Sequence, residues 1–344
     1  MRIEQATIKD IAQELNISIS TVSRALKDYP RISSNTKKKV KEVAERLNYR
    51  PNAVALSLRK SRSFTIGVII PDVVHFFFST VISGIEEVAS SRGYNVILTQ
   101  TNERFEREKS NINTMLGNQI DGFMISFSKE TKDFEHFTKL LDRNYPIVFF
   151  DRVPDIENAV NVVVDDYQGA YDATTHLISQ GYKKIIHLAG PKNLKICFER
   201  ERGYRDALSA HGITIDESLI LECPLGVPEE SKKIVYDLFQ ELEIKPDAVF
   251  ANNDMVAVGA MMACRELGFQ IPKDIGIVGF SNWQICSILE PSLTSVYQPG
   301  FDIGVKATEI LLDLIENKTS IDQIASPIVL KTELMIRNSS KRLF

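Results

Sequence analysis

From Phe64 onward the chain alternates short apolar runs of strand length with longer amphipathic stretches of helix length, and nothing else in it limits the fold so tightly. "FTIGVII", "YNVILTQ", "DGFMIS" and "PIVFFD" are the first strand candidates, and "STVISGIEEVASSRG" between two of them carries a helical period. Such alternation predicts a parallel sheet flanked by helices. The pattern restarts after "NVVVDDYQGA" with "KKIIHLAG", "LILEC", "DAVFANND" and "DIGIVGF", so a second wound unit is expected. We place the boundary near residue 160, with later crossovers near 292 and 325. Two doubly wound parallel-sheet subdomains leave a cleft where their strands end. A chain of 344 residues, 44% of them hydrophobic, is long enough for two or three domains.

The first 62 residues differ in composition. They hold fourteen Lys and Arg against six Asp and Glu, about +8, whereas the remainder holds 27 against 39, about −12. A basic head on an acidic body points to a polyanion met by the head alone. In the head, Ile8, Ile11, Ala12 and Leu15 give one apolar stripe, Val22, Ala25 and Leu26 a second, and Val40, Val43, Ala44 and Leu47 a third. Thr7, Ser18 and either Ser33 or Ser34 stand where the three helices need N-caps. The second helix is short and presents Ile19, Ser20 and Arg24. Small polar side chains at a helix start can approach base edges in a major groove, and Arg24 adds a cation. Thr7, Thr21, Ser23, Ser33 and Asn35 can donate to phosphate oxygens, which fixes register without reading bases.

A proline, Pro51, follows the third helix, and "NAVALSL" allows only about two further turns, too few to be stable alone. Such a segment can fold when two copies pair in a minor groove, with an apolar wedge such as Leu58 entering a base step. The run "TIKDIAQELNISISTVSRALKDYPRISSNTKKKVKEVAERLNYRPNAVALSLR" resembles the DNA-binding head of the lac repressor (LacI/GalR) family. The resemblance implies a helix-turn-helix head over 1–50, a hinge helix and linker over 51–62, an effector-binding and dimerisation body over 63–338, and a tail over 339–344. It makes Ile19, Ser20 and Arg24 base readers, Asn52 and Ala55 minor-groove contacts and Leu58 the wedge, with Ser18 in the same DNA-contacting set.

The residues just after the strand candidates are the ligand-site candidates, because open parallel sheets bind at their carboxyl ends. "HFFF", "FFDR", "GPKNLKICFERERG", "FANND" and "GFSNW" all occupy such positions. The three phenylalanines are either a core plug or a stacking wall. The body is similar to the same family's effector domain, itself like periplasmic sugar-binding proteins. That similarity implies Phe77, Phe78, Phe250 and Asn253 as pocket residues, Asp151 as partner of a ligand hydroxyl, and Arg200 as a clamp, with a surface ion pair as the alternative for Arg200. Trp283, the single tryptophan, either stacks on a sugar or serves structure. Ser281 stands where relatives often carry aspartate. That loss of an acceptor suggests a more acidic effector, a uronic acid or sugar phosphate.

No phosphate-binding loop, zinc-protease or nucleophile-elbow motif is present, and Cys197, Cys223, Cys264 and Cys286 show no ligand spacing. No enzyme activity, cofactor or metal is implied. The N-terminus lacks a signal-peptide core and no run reaches membrane-spanning length, so a cytoplasmic protein without membrane contact is expected. The expectation is a transcription regulator, a repressor, bound to double-stranded operator DNA as a homodimer and controlled by a small molecule, a sugar or its derivative. No heptads follow "LMIRNSSKRLF", which favours dimers over tetramers.

Overall fold

The computed structural model describes residues 6–49, 62–241 and 245–342, and the chain divides into two compact units at Phe64 and Thr65. The first unit contains α1 (Ile8–Glu14), α2 (Ile19–Leu26) and α3 (Ser34–Arg46). Asp10 reaches back to the Thr7 amide and hydroxyl. The Ser18 hydroxyl accepts from the Thr21 amide, and that of Ser33 from the Thr36 amide. Each cap satisfies an amide that the helix itself leaves open. Ile11, Ala12, Val22, Ala25, Val40, Val43 and Ala44 form the shared core. Arg46–Glu14 and Lys41–Asp28 bridge the helices at the surface. Exposed pairs add about 0–1 kcal/mol each, against about 1.5–3 for burying one large aliphatic side chain, so the apolar stripes hold the three helices together.

The second unit has two six-stranded sheets. The first is built from β1 (Thr65–Ile70), β2 (Asn95–Gln100), β3 (Gly122–Ile125), β4 (Ile147–Phe150) and β5 (Val160–Val164). The second is built from β6 (Ile185–Ala189), β7 (Ile220–Glu222), β8 (Ala248–Ala251), β9 (Gly276–Ser281) and β10 (Thr294–Tyr297). Late in the chain β11 (Ile328–Leu330) joins the first sheet and β12 (Glu333–Met335) the second. The orders are β11-β5-β4-β3-β1-β2 and β12-β10-β9-β8-β6-β7. All pairings are parallel except β10 with β12. β1, β3, β4, β6 and β8 are apolar runs buried almost throughout, as strands covered on both faces require.

Helices cover those faces: α4 (Phe76–Ser91), α5 (Phe105–Gly117), α6 (Glu135–Leu141) and α12 (Gly300–Ile315) on the first sheet, and α7 (Asp166–Ser179), α8 (Lys195–Ala210), α9 (Pro228–Glu241) and α10 (Asp254–Glu266) on the second. A short α11 (Ile285–Ile288) precedes β10. α4 packs on α12 backbone to backbone, because Gly84 and Gly304 leave no Cβ between them.

Sheet membership puts the crossings between subdomains after Val164, at Gln298–Pro299 and at Lys331–Thr332. The last two lie a few residues beyond the expected 292 and 325, because β10, β11 and β12 are too short to show a period. The segment from 339 is not a free tail as far as it is described. Ser339 and Ser340 are buried, and the Ser339 hydroxyl accepts from the Thr294 amide and donates to the Ile277 carbonyl.

Candidate nucleic-acid interface and effector cleft

In the head, Ile19 and Ser20 open α2 with their side chains in solvent, Ile19 at 46% exposure. An aliphatic side chain left this exposed at a helix start has no packing role in the head. Arg24 is exposed one turn further on, its guanidinium 6.0 Å from the Tyr29 ring. Ser18 bonds the hydroxyls of Ser20 and Thr21 at 2.9 and 2.8 Å, so these three groups form one local chain. Asn35 is exposed, Ser23 is half-buried, and the hydroxyls of Thr7 and Ser33 already serve their caps. Asn52, Ala55 and Leu58 lie outside the described residues.

In the body, a cavity of about 130 Å³ sits between the subdomains at the carboxyl ends of both sheets. The loops after β1, β2, β3 and β4 bring His75, Glu103, Lys129, Asp151 and Arg152, and the first turn of α4 brings Phe77 and Phe78. From the other side come the loop after β6 with Cys197 and Arg200 of α8, Cys223, Asn252 and Asn253, Ser281 and Gln298. Of the expected pocket residues, Phe77, Phe78, Asp151, Arg200, Asn253 and Ser281 therefore line it.

Two do not. Phe250 is 0% exposed, stacked on His187 at 5.0 Å inside the second subdomain, because alternate residues of β8 face opposite sides of the sheet. Trp283 lies outside the lining, its indole edge-on to His75 at 4.5 Å and its amide donating to Asp254 at 2.8 Å.

The charges are largely paired. Arg200, 3% exposed, is no surface residue: it meets Asp166 at 2.7 Å, donates to the Asn252 carbonyl and covers the Phe280 ring at 3.7 Å. Burial pushes the Asp166 carboxyl up to about 6, with Arg200 opposing. Arg152 meets Glu103 at 2.7 Å; burial pushes the Glu103 carboxyl up, but the charge and hydrogen bond of Arg152 together with the Lys129 amide and ammonium leave it below its ordinary value. The carboxylate of Asp151 has only the Ser126 hydroxyl, at 3.4 Å, and burial raises its pKa. Burial lowers His75 to about 4, and Arg152 and Arg200 add to that, so its ring is neutral.

Four buried polar atoms of the lining lack a partner among the described residues: His75 Nδ1, Arg152 Nε, Asn252 Oδ1 and Gln298 Nε2. Leaving such an atom unmade costs about 1–3 kcal/mol, and their convergence marks a polar ligand site. Asp151 and Ser281 also hold left-handed backbone, φ 60° and 105°, at the two sides of the cavity. Glu103, Lys129 and Gln298 lie outside the stretches picked out from the sequence, and His75, Arg152 and Asn252 lie within them without having been singled out. Their only signal was position, since each follows a strand by a few residues.

A helical head of this kind on a two-lobed ligand-binding body defines a class of ligand-regulated DNA-binding proteins. Residues 7–52 match the model for bacterial regulatory proteins of the lacI family, and 63–334 that for periplasmic binding proteins and the sugar-binding domain of the LacI family. The chain belongs to the LacI family and is a DNA-binding transcription regulator with an effector-binding body. It is 34% identical to catabolite control protein A of Priestia megaterium over 97% of this chain and 99% of that one. Identity to the transcriptional repressor PurR of Vibrio atlanticus is 35%, over 91% and 93%. Among solved structures, a CelR–cellobiose complex superposes with TM-score 0.73 at 27% identity, covering 97% and 99%. The operator-bound lac repressor dimer superposes with TM-score 0.87 over 98% and 99%, and at 24% identity this shows the shared fold. Members of the family are transcription regulators, and no helix among the described residues is long and apolar enough to cross a membrane.

Proposed function

We propose that the chain is a cytoplasmic repressor that binds a pseudo-palindromic operator as a homodimer and is released or retained by a neutral, hydroxyl-rich sugar in the cleft. The observation that carries the effector reading is the set of four unpartnered polar atoms around one cavity, contributed by both subdomains. A ligand that satisfies them all must bridge the subdomains, so it binds one degree of closure better than another. That differential affinity is what regulation requires. Because Arg152 and Arg200 are each matched by a carboxylate, the charge balance favours a neutral sugar over a uronic acid or sugar phosphate. The ribose and cellobiose found with related structures are consistent with that class.

On the DNA side, Ile19, Ser20 and Arg24 read bases, with Ser18, Thr21, Ser23, Asn35 and the N-termini of the capped helices on phosphates. Asn52, Ala55 and Leu58 act in the minor groove. A dimer is supported by one module's small contact area. It is also supported by the exposed aliphatic residues Ile97 and Leu98 on edge strand β2. Retention of genomic fragments in a gel-shift titration tests the reading. Full-length protein should select specific fragments, and protein lacking residues 1–62 should retain none. Equal retention by both would sink it.

A further inference from the structure

The 130 Å³ inner cavity is below the roughly 300–1,000 Å³ common for small-molecule sites, yet it is not closed. Two of its residues, Asp151 and Ile196, also line a neighbouring groove of about 880 Å³. The groove runs between the 153–159 loop after β4 and the first turns of α8, with β5 and the approach to β11 as its floor. We propose that this groove is part of the effector site and holds further sugar units, so that the effector is a neutral oligosaccharide of two or more linked rings. The inference rests on the sugar reading above and adds a chain length to it.

Three observations carry it. First, Asp151 belongs to both linings and its carboxylate is poorly partnered, so a ligand hydroxyl bonded to it lies where cavity and groove adjoin. Second, the groove has its own buried, unsatisfied acceptor, Asn161 Oδ1, which suits a hydroxyl donor. Third, the half-buried ring of Tyr167 lies in the wall, with the Arg202 guanidinium over it at 4.5 Å and its hydroxyl donating to Asp206 at 3.1 Å. A ring held in this way is an aromatic platform for the C–H face of a sugar. Charge disfavours an anionic extension, because six carboxylates face two cations, Lys195 and Arg202, in the groove wall, and the balance stays acidic after Asp166 is paired with Arg200 and Glu199 with Arg202.

Thermal-shift and calorimetric titration of the full chain tests the proposal, using a panel in which each neutral monosaccharide is paired with its α- and β-linked di- and trisaccharides. The strongest ligand should have at least two rings and bind roughly tenfold or more tightly than its own monosaccharide, the worth of one or two added contacts. Tyr167→Ala should weaken the oligosaccharide roughly fivefold and leave the monosaccharide unchanged, whereas Tyr167→Phe keeps the ring and the affinity. Asn161→Ala gives the same split independently, in case loss of the tyrosine disturbs α7. A monosaccharide that binds as tightly as its oligomers, or variants that weaken both alike, would overturn the extended site while leaving the sugar reading intact. A panel in which no saccharide shifts the melting temperature would instead overturn the sugar reading itself, and the extension with it.

Discussion

Asp151 shows at the scale of one residue how a binding site is maintained against stability. Its carboxylate is buried, its hydroxyl partner is distant, and the paired arginines nearby are committed to other carboxylates. Burial therefore raises its pKa above the ordinary value. For an acid, a folded-state pKa above the unfolded one means that stability is fullest below the unfolded value and falls as pH rises through the folded one. Asp151→Asn keeps the side chain's shape and tolerates the left-handed backbone, but removes that charge. The variant should be more stable at pH 7 by about 1–2 kcal/mol, with the gain vanishing at pH 4. Chemical denaturation at the two pH values measures this. Effector affinity should fall at the same time, since the ligand loses a charged acceptor worth about 1.5–3 kcal/mol. A variant that is less stable at pH 7 than the parent would mean that the carboxylate is matched by a partner in the folded state.

At the scale of elements, the seam of α4 on α12 is the most exacting contact in the first subdomain. A Cβ on Gly84 would meet the Phe301 carbonyl, and one on Gly304 the Val81 carbonyl, both within van der Waals distance. Backbone cannot yield as a flexible side chain does. Gly84→Ala should therefore cost about 2–4 kcal/mol despite alanine's better helix propensity of about 1 kcal/mol, seen as a lower denaturation midpoint. An unchanged midpoint would show that the helices can separate. The strands β1, β3, β4, β6, β8 and β9 were legible because burial on both faces forces uninterrupted apolar runs. β10, β11 and β12 have three or four residues each, pair at crossovers, and left no period to detect. The site divided similarly. The strand pattern pointed to the loops, and the family resemblance named Phe77, Asp151 and Arg200 within them; it also named Phe250, whose ring lies on the face of β8 away from the cavity. Glu103 and Gln298 became visible only as a partner and as an unpartnered atom, which are properties of three-dimensional neighbourhood.

For the whole molecule, the division of charge at Arg62 separates two equilibria by their response to salt. About +8 in the first 62 residues faces a polyanion, and each phosphate neutralised releases condensed counterions. With roughly 6–10 phosphate contacts per dimer, operator affinity should drop about 10³–10⁵-fold between 50 and 200 mM salt. The cleft behaves differently. Arg152 with Glu103 and Arg200 with Asp166 are closed pairs, and a neutral sugar brings no net charge, so its affinity should change less than about twofold over the same range. The acidic remainder, about −12, repels DNA and confines the polyanion to the head. Fluorescence anisotropy with a labelled operator, alongside calorimetry with the effector, measures both slopes on one preparation. A steep salt dependence of effector binding would reveal an anionic ligand and return the uronic acid and sugar phosphate to consideration. A shallow dependence of operator binding would mean that the basic head does not hold the duplex through its phosphates.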